Sequence, residues 1–522
     1  MDHAITVLPP QARRQEPNVG IINLPNEILH EICCHLCLHC HHECVVIVDF
    51  DLRLDAFEDQ KALARLSQCS QRLRKIAQPV LFHWYQSDEE EDEPGGYEEL
   101  DRFVSFMRPI LRHPTLAAST RALALYNPRM FPEESHHVTS SDPEGSFGRA
   151  FEAVGGSLLQ LWRNNGGEKL YLDQLQMLAM ASTPALSQLR VSRESDFFNR
   201  ARGVWSYLMP NLKCLTFFAG DGSGGLGDDS NDVKFAMSLL RHAPNLESLV
   251  ALDCWGEWMI HSRVYFVERP WGLLLTNLKR LSLNDVTLNQ LVPILDICPL
   301  LEDLEYFDDH RLLGLPPMGL TPVIGRLRTT LRRLCYSILP VYAPEACDDP
   351  PLEELRDNQN QIFYKYGEPV ENVYPDLSGF PVLEVLELEQ LVLYGPVFPT
   401  LEDPREDRSS QITTPEHILR RLPPSLRQLR IGCVGYWPTV HRDLLALAEE
   451  PSRRFPRLQA VTVEVFEAPP EHQHRHLDER LSSVLGVSLV VCYVARSHYN
   501  PTGLLSARSG KPTLVPRPIL FS

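Results

Sequence analysis

The chain has no hydrophobic run long enough to cross a bilayer. Its longest apolar stretches, such as residues 487–494, fall far short of the roughly 20 residues that a spanning helix requires. Near the N-terminus Pro9-Pro10 and Arg13-Arg14 are followed by no apolar segment, so no secretory signal is expected. Positive charge is scarce. The 50 Lys and Arg face 68 Asp and Glu, a formal charge of −18, which argues against nucleic acid or an anionic membrane as principal partner. The Gly-x-Ser-x-Gly elbow, the P-loop and the His-Glu-x-x-His pair are all missing, so the expectation is a binding protein and not an enzyme. A disulfide framework is missing too. The 13 cysteines are odd in number, five crowd between positions 33 and 44, and no regular spacing organises the rest. That usage points to reduced thiols in the cytoplasm and/or nucleus.

What is present is ample apolar material. Hydrophobic residues make up 43% of 522, enough for several ordinary domains, or for a small domain followed by a repeat array.

Two apolar stripes lie between residues 23 and 85. Pro25 suits the first turn of a helix, where its missing N–H costs nothing, and Glu27 complements the positive end of the helix dipole. Ile28, Ile32 and Leu36 then recur at every fourth position, with Leu29 alongside. Leu63, Leu66, Cys69 and Leu73 make the second stripe, which Ile76 continues. So short a helix pair cannot bury both stripes alone. It either caps a larger core or presents apolar surface to a partner helix.

The joint pattern of Leu24-Pro25, the first stripe, Ser70-Gln71-Arg72-Leu73-Arg74 and Pro79-Val80-Leu81-Phe82 resembles an F-box. The resemblance implies docking onto the Skp adaptor of an SCF ubiquitin ligase, and through it onto a cullin. The positions it implies for adaptor contact are Leu24, Pro25, Ile28, Ile32, Leu63, Leu66 and Leu73. Two features depart from the family pattern. Cys69 stands where Val is usual, and about twenty residues, Leu38 to Glu58, separate the two helical parts where the family has a short turn.

From about residue 115 a degenerate unit recurs, often a Pro and then Leu-x-x-Leu-x-apolar. It appears at Leu186/Leu189, Leu212/Leu215, Leu246/Leu249, Leu278/Leu281/Leu283, Leu301/Leu304, Leu331/Leu334, Leu383/Leu386/Leu388, Leu426/Leu429/Ile431 and Leu458/Val461/Val463. Arg121-Ala122-Leu123-Ala124-Leu125 reads as an earlier copy. Alternation over so few residues indicates a strand. Helical patterns precede several copies and stop before a proline, as with Leu288, Leu291, Leu295 and Cys298 ahead of Pro299. The same arrangement leads to Pro244 and Pro423.

A strand and a helix per unit resemble the irregular leucine-rich repeats that accompany F-boxes in fungal proteins. The implied fold is α/β, a helical F-box followed by a repeat solenoid with a curved parallel sheet. An ordinary α/β domain alternates the same elements.

The expected division is a flexible N-terminus at 1–20, the F-box with its Cys/His-rich insertion at 21–86 and an acidic linker at 87–100. The array then runs over 101–494, with insertions near 340–380 and 394–414, and a tail occupies 495–522.

Three motifs invite a site. Cys34-x2-Cys37-x2-Cys40-x3-Cys44, interleaved with His35, His39, His41 and His42, has the spacing of a bacterial ferredoxin run and also suits zinc. Val45 replaces the proline that normally follows the fourth cysteine, no second quartet exists, and Cys33 and Cys37 fit as small apolar helix residues. No metal and no other cofactor is therefore assigned. Gly220-x-Gly222-x-x-Gly225 follows an apparent strand, as a dinucleotide site requires, but Asp221, Asp228 and Asp229 would repel a phosphate, so a loop is the reading. His472, His474 and His476 do not share a helix face and read as a solvated helix start.

The combined reading is the substrate-recognition subunit of an SCF-type ligase, acting on an unknown protein by proximity. The alternatives are a non-ligase interaction scaffold, or a metal- or redox-responsive regulator working through the Cys/His segment.

Overall fold

The computed structural model describes residues 21–41, 50–86, 96–125, 137–138, 145–164, 170–192, 207–218, 239–252, 275–284, 288–308, 317–338, 376–394, 420–434, 437–449, 454–465 and 471–493. Pro25 stands at the N-cap of the first helix, α1 (Asn26–His35), which buries Leu29 and Cys33. A single turn, α2 (Leu38–His41), follows. Then come α3 (Phe50–Cys69) and α4 (Gln71–Leu81).

The stripe expected to run unbroken through Cys69 is interrupted. Ser70 is extended, and its hydroxyl accepts a 3.1 Å hydrogen bond from the Leu73 amide, so a new helix begins there. Leu63, Leu73, Ala77 and Val80 turn inward, while Cys69 is exposed.

The chain then runs directly into β1 (Trp84–Gln86), and α5 (Gly96–Arg112), α6 (Pro114–Ala117) and β2 (Ala122–Leu125) follow. A small antiparallel ribbon pairs β3 (His137–Val138) with β4 (Leu170–Tyr171) and touches α9 (Leu172–Ser182), with α7 (Ser146–Val154) and α8 (Gly156–Asn164) between the two strands in sequence. Next are β5 (Gln188–Ser192), β6 (Cys214–Phe218), β7 (Ser248–Leu252) and β8 (Arg280–Asn284). After α10 (Leu288–Asp296) come β9 (Asp303–Asp308), α11 (Pro317–Ile324), β10 (Arg333–Ile338) and β11 (Val385–Glu389). The remainder is α12 (Gln390–Tyr394), β12 (Gln428–Val434), α13 (Trp437–Glu449), β13 (Ala460–Val465), α14 (Glu471–Leu485) and β14 (Ser488–Tyr493).

The protein is mixed α/β, and among the described residues all strands but β3 and β4 form one parallel sheet of twelve. Its spatial order is the chain order, β1-β2-β5-β6 and so on to β14. Every repeat copy quoted above delivers one of these strands. Leu189, Leu215, Leu249, Leu281, Leu304, Leu334, Leu386, Leu429 and Val461 stand side by side in register. The residues two positions on, from Val191 through Tyr306 and Tyr336 to Val463, make a second row on the same face. Both rows belong to one apolar core, in which each fully buried side chain contributes about 1.5–3 kcal/mol. The Tyr306 and Tyr336 rings pack at 5.4 Å across neighbouring strands.

Two repeating devices hold the units in step. In the parallel sheet the carbonyl just before each strand from β1 to β12 accepts two N–H groups from the next unit; His83 accepts from Arg121 and Ala122, and Arg121 accepts from Ser187 and Gln188. The same bond pair recurs at Ser187, Lys213, Glu247, Lys279, Glu302, Arg332, Glu384 and Arg427. In addition, the side-chain amides of Asn211, Asn245 and Asn277 donate to the carbonyls of Pro184, Pro210 and Pro244 one unit back.

The boundaries shift accordingly. The sheet starts at Trp84, inside the segment expected to end the helical module, and α5 starts at Gly96, inside the expected linker. Residues 376–380 already bury Leu377 and Phe380, so the insertion near 340–380 ends earlier. Residues 1–20, 87–95, 339–375, 395–419 and 494–522 lie outside the described residues, and so does the Gly220–Gly225 motif.

Candidate functional site

The seven residues expected to contact an adaptor divide into two groups. Leu63 and Leu73 are at most 3% exposed and hold the helices together, so they are supports and not surface. Pro25 and Ile28 are exposed, while Leu24, Ile32 and Leu66 are partly so. Among the described residues few large apolar side chains face solvent, and two of them, Ile21 and Ile28, lie within this one edge at 43% and 48%. Arg72 of α4 fixes the edge, its guanidinium donating to the Leu24 carbonyl at 2.6 Å and to Asn26 Oδ1 at 2.8 Å. The sequence contains Arg72 within the quoted motif but gives no sign of this clamping role.

The cysteine run resolves differently from its spacing. Cys34 lies with its Sγ 3.5 Å from His30 Nε2 and also interacts with the Cys40 side chain, and Cys44 lies outside the described residues. Cys37, His39 and Cys40 instead gather around His83, which follows α4. Cys40 Sγ is 3.3 Å from His83 Nδ1 and 4.0 Å from His39 Nδ1, and Cys37 Sγ is 3.8 Å from His83 Nδ1. One ligand atom from each of the four lies within 4.8 Å of every other. Cys37 is fully buried, yet its thiol is held below its ordinary range. The Cys40 side chain is the main cause, overcoming burial, and the backbone N–H groups of Cys40 and His39 assist. Burial alone acts in the opposite direction, as at Cys298, where it pushes the thiol up to about 12.

Strand alternation turns the intervening residues to the opposite face of the sheet. Between β8 and β13 that face carries an ion lattice. Arg280 donates to both oxygens of Glu305, at 3.2 and 3.3 Å. Arg333 reaches three carboxylates, Asp303 at 3.1 Å, Glu305 at 2.5 Å and Glu387 at 2.9 and 3.0 Å. Arg430 bridges Glu387 at 3.4 Å and Glu464, and the Ser337 hydroxyl donates to Glu389. Glu305 is wholly buried. Burial would depress the Arg333 guanidinium, but Glu305, Glu387 and Asp303 together hold it well above its ordinary value. Burial raises Asp303 despite Arg333. Asp303, Glu305, Glu387, Glu389 and Glu464 outnumber Arg280, Arg333 and Arg430, so this half of the face is acidic.

The other end of the same face, across β1 to β6, is hollow rather than charged. A shallow recess there is bounded by His39, Trp84, Gln86, Arg190 and Thr216. The side-chain amide of Gln86 is buried there with no hydrogen-bond partner among the described residues. His472, His474 and His476 lie in the first turns of α14, which begins at Glu471. No described helix is long and apolar enough to cross a membrane. No protein-family model matches the chain, and comparison with curated proteins finds no match.

Proposed function

We propose that this protein is a substrate receptor of an SCF-type ubiquitin ligase, with an F-box at its N-terminus and an irregular leucine-rich-repeat array behind it. The observation that carries the reading is the exposed apolar edge at Leu24, Pro25 and Ile28. It is clamped by Arg72 and built onto a sheet whose parallel strands follow one another in chain order. Chain-order parallel pairing, one strand per leucine unit, is what a repeat array requires. The edge would take an adaptor helix. The polar face of the sheet would take the substrate: its acidic lattice at the far end favours a basic segment, and the unpaired Gln86 amide in the recess nearer the F-box offers two hydrogen bonds to a neighbouring group. Catalysis on this reading is proximity alone, the substrate lysine being held near a partner's thioester.

The test is binding of purified Skp adaptor to the parent and to a Leu24→Ala/Pro25→Ala/Ile28→Ala variant. The exposure of Pro25 and Ile28 predicts that the variant folds normally and loses at least about tenfold in affinity. A folded parent that ignores the adaptor sinks the proposal.

A further inference from the structure

The geometry points to a structural zinc site formed by Cys37, His39, Cys40 and His83. Two sulfurs and two imidazole nitrogens converge with every pair inside 4.8 Å, and the measured contacts of 3.3, 3.8 and 4.0 Å are near those between ligands sharing one tetrahedral ion. Thiolate with imidazole selects zinc over the hard cations, and a Rieske cluster, which also takes two Cys and two His, puts them on two different irons, farther apart than the 3.3 Å between Cys40 Sγ and His83 Nδ1. Four protein ligands close the coordination sphere, leaving no position for a substrate, so the ion would serve structure and not catalysis.

The position in the fold explains what the ion would do. Three ligands come from the turn that follows α1 and opens the insertion, where the Cys40 amide donates to the Cys37 carbonyl at 3.0 Å and keeps the turn tight. The fourth, His83, is the first rung of the sheet's ladder, its carbonyl receiving the amides of Arg121 and Ala122 at 2.7 and 2.9 Å. The ion therefore staples the insertion onto the base of the sheet. His39, one of its ligands, also borders the recess beside Gln86, so losing the metal would loosen one wall of that recess. Binding energy at such a site is folding energy.

This inference is independent of any ligase role and has its own test. Full-length protein is purified without chelator, its zinc measured by mass spectrometry, and the zinc then replaced by cobalt(II). The expected result is about one zinc per chain and the d–d absorption of a tetrahedral S2N2 cobalt site. Cys40→Ser and His83→Ala should cut the zinc content at least about fivefold. Cys69→Ser, exposed at the end of α3 and bonded to the Arg65 carbonyl away from the cluster, should leave it unchanged. The unmodified chain keeps the test valid even if a variant fails to fold. Folded parent that takes up no zinc or cobalt at neutral pH overturns the site, and so does full zinc content retained by both Cys40→Ser and His83→Ala.

Discussion

Two rows of charge run across the same strands and meet different fates. On the rim, just ahead of the strands, Lys213, Glu247, Lys279, Glu302, Arg332, Glu384 and Arg427 alternate in sign from unit to unit, with the measured ion pairs spanning 3.1 to 3.8 Å. On the sheet's polar face Arg280, Asp303, Glu305, Arg333, Glu387, Arg430 and Glu464 make a similar lattice, but with the carboxylates largely removed from water. The chemistry is shared and the burial is not. Solvent screens a rim pair to a few tenths of a kcal/mol, whereas a buried charge stripped of its partner costs several. The rim thus marks which unit sits beside which, and the face holds a rigid charged surface.

The comparison breaks hardest at Arg333. Arg333→Ala leaves Asp303, Glu305 and Glu387 short of a cation, and should destabilise the protein by about 3–5 kcal/mol in urea unfolding. The deficit should shrink on acidification. Asp303 already titrates above its ordinary range, so its contribution is full below the unfolded value and is lost as pH rises through the folded one. Removing Arg333 pushes it further up and widens that window. A variant equally unstable at pH 5 and pH 8 would show that the lattice carries little charge energy. Glu464→Gln tests a single link. Arg430 keeps Glu387 but loses its other carboxylate, for an expected cost of about 1–2 kcal/mol.

Much of this was readable beforehand, because Leu-x-x-Leu fixes both the strand and its inward face. The lattice was readable in principle. Glu305, Glu387 and Arg430 occupy the same slot between two apolar residues of their units, and aligning those units by their leucines places the three in one row. Other features left weaker traces. Ser70 has the side chain of a helix N-cap, but an apolar periodicity running across it masked the break. β1 is three residues long and begins where a helix ends, too short for any period to register. The cysteine spacing groups Cys34, Cys37, Cys40 and Cys44, and no metal is assigned to them. The structure instead recruits His39 and, 43 residues beyond Cys40, His83, a pairing set by tertiary packing that no linear motif encodes.

On the rim the expected effects are smaller. Asn245→Ala removes the 2.8 Å bond to the Pro210 carbonyl, leaving that carbonyl open to water, and should cost about 0.5–1 kcal/mol. Smallest of all is Glu247→Gln. Lys279 chiefly, and Lys213 with it, hold the Glu247 carboxylate below its ordinary range. A depressed carboxylate stabilises the fold above its unfolded pKa and ceases to as pH falls through the folded one. The variant should therefore lose about 0.5 kcal/mol at pH 7 in low salt, an amount already discounted for the 36% exposure of the Glu247 side chain. The difference should fade as the pH drops below about 4, and at neutral pH it should vanish in about 1 M salt, where screening acts within a few ångströms. Thermal melts of both proteins under these three conditions decide it. A salt-resistant loss would mean that the rim is energetically continuous with the buried lattice, and the distinction between the two rows would fail.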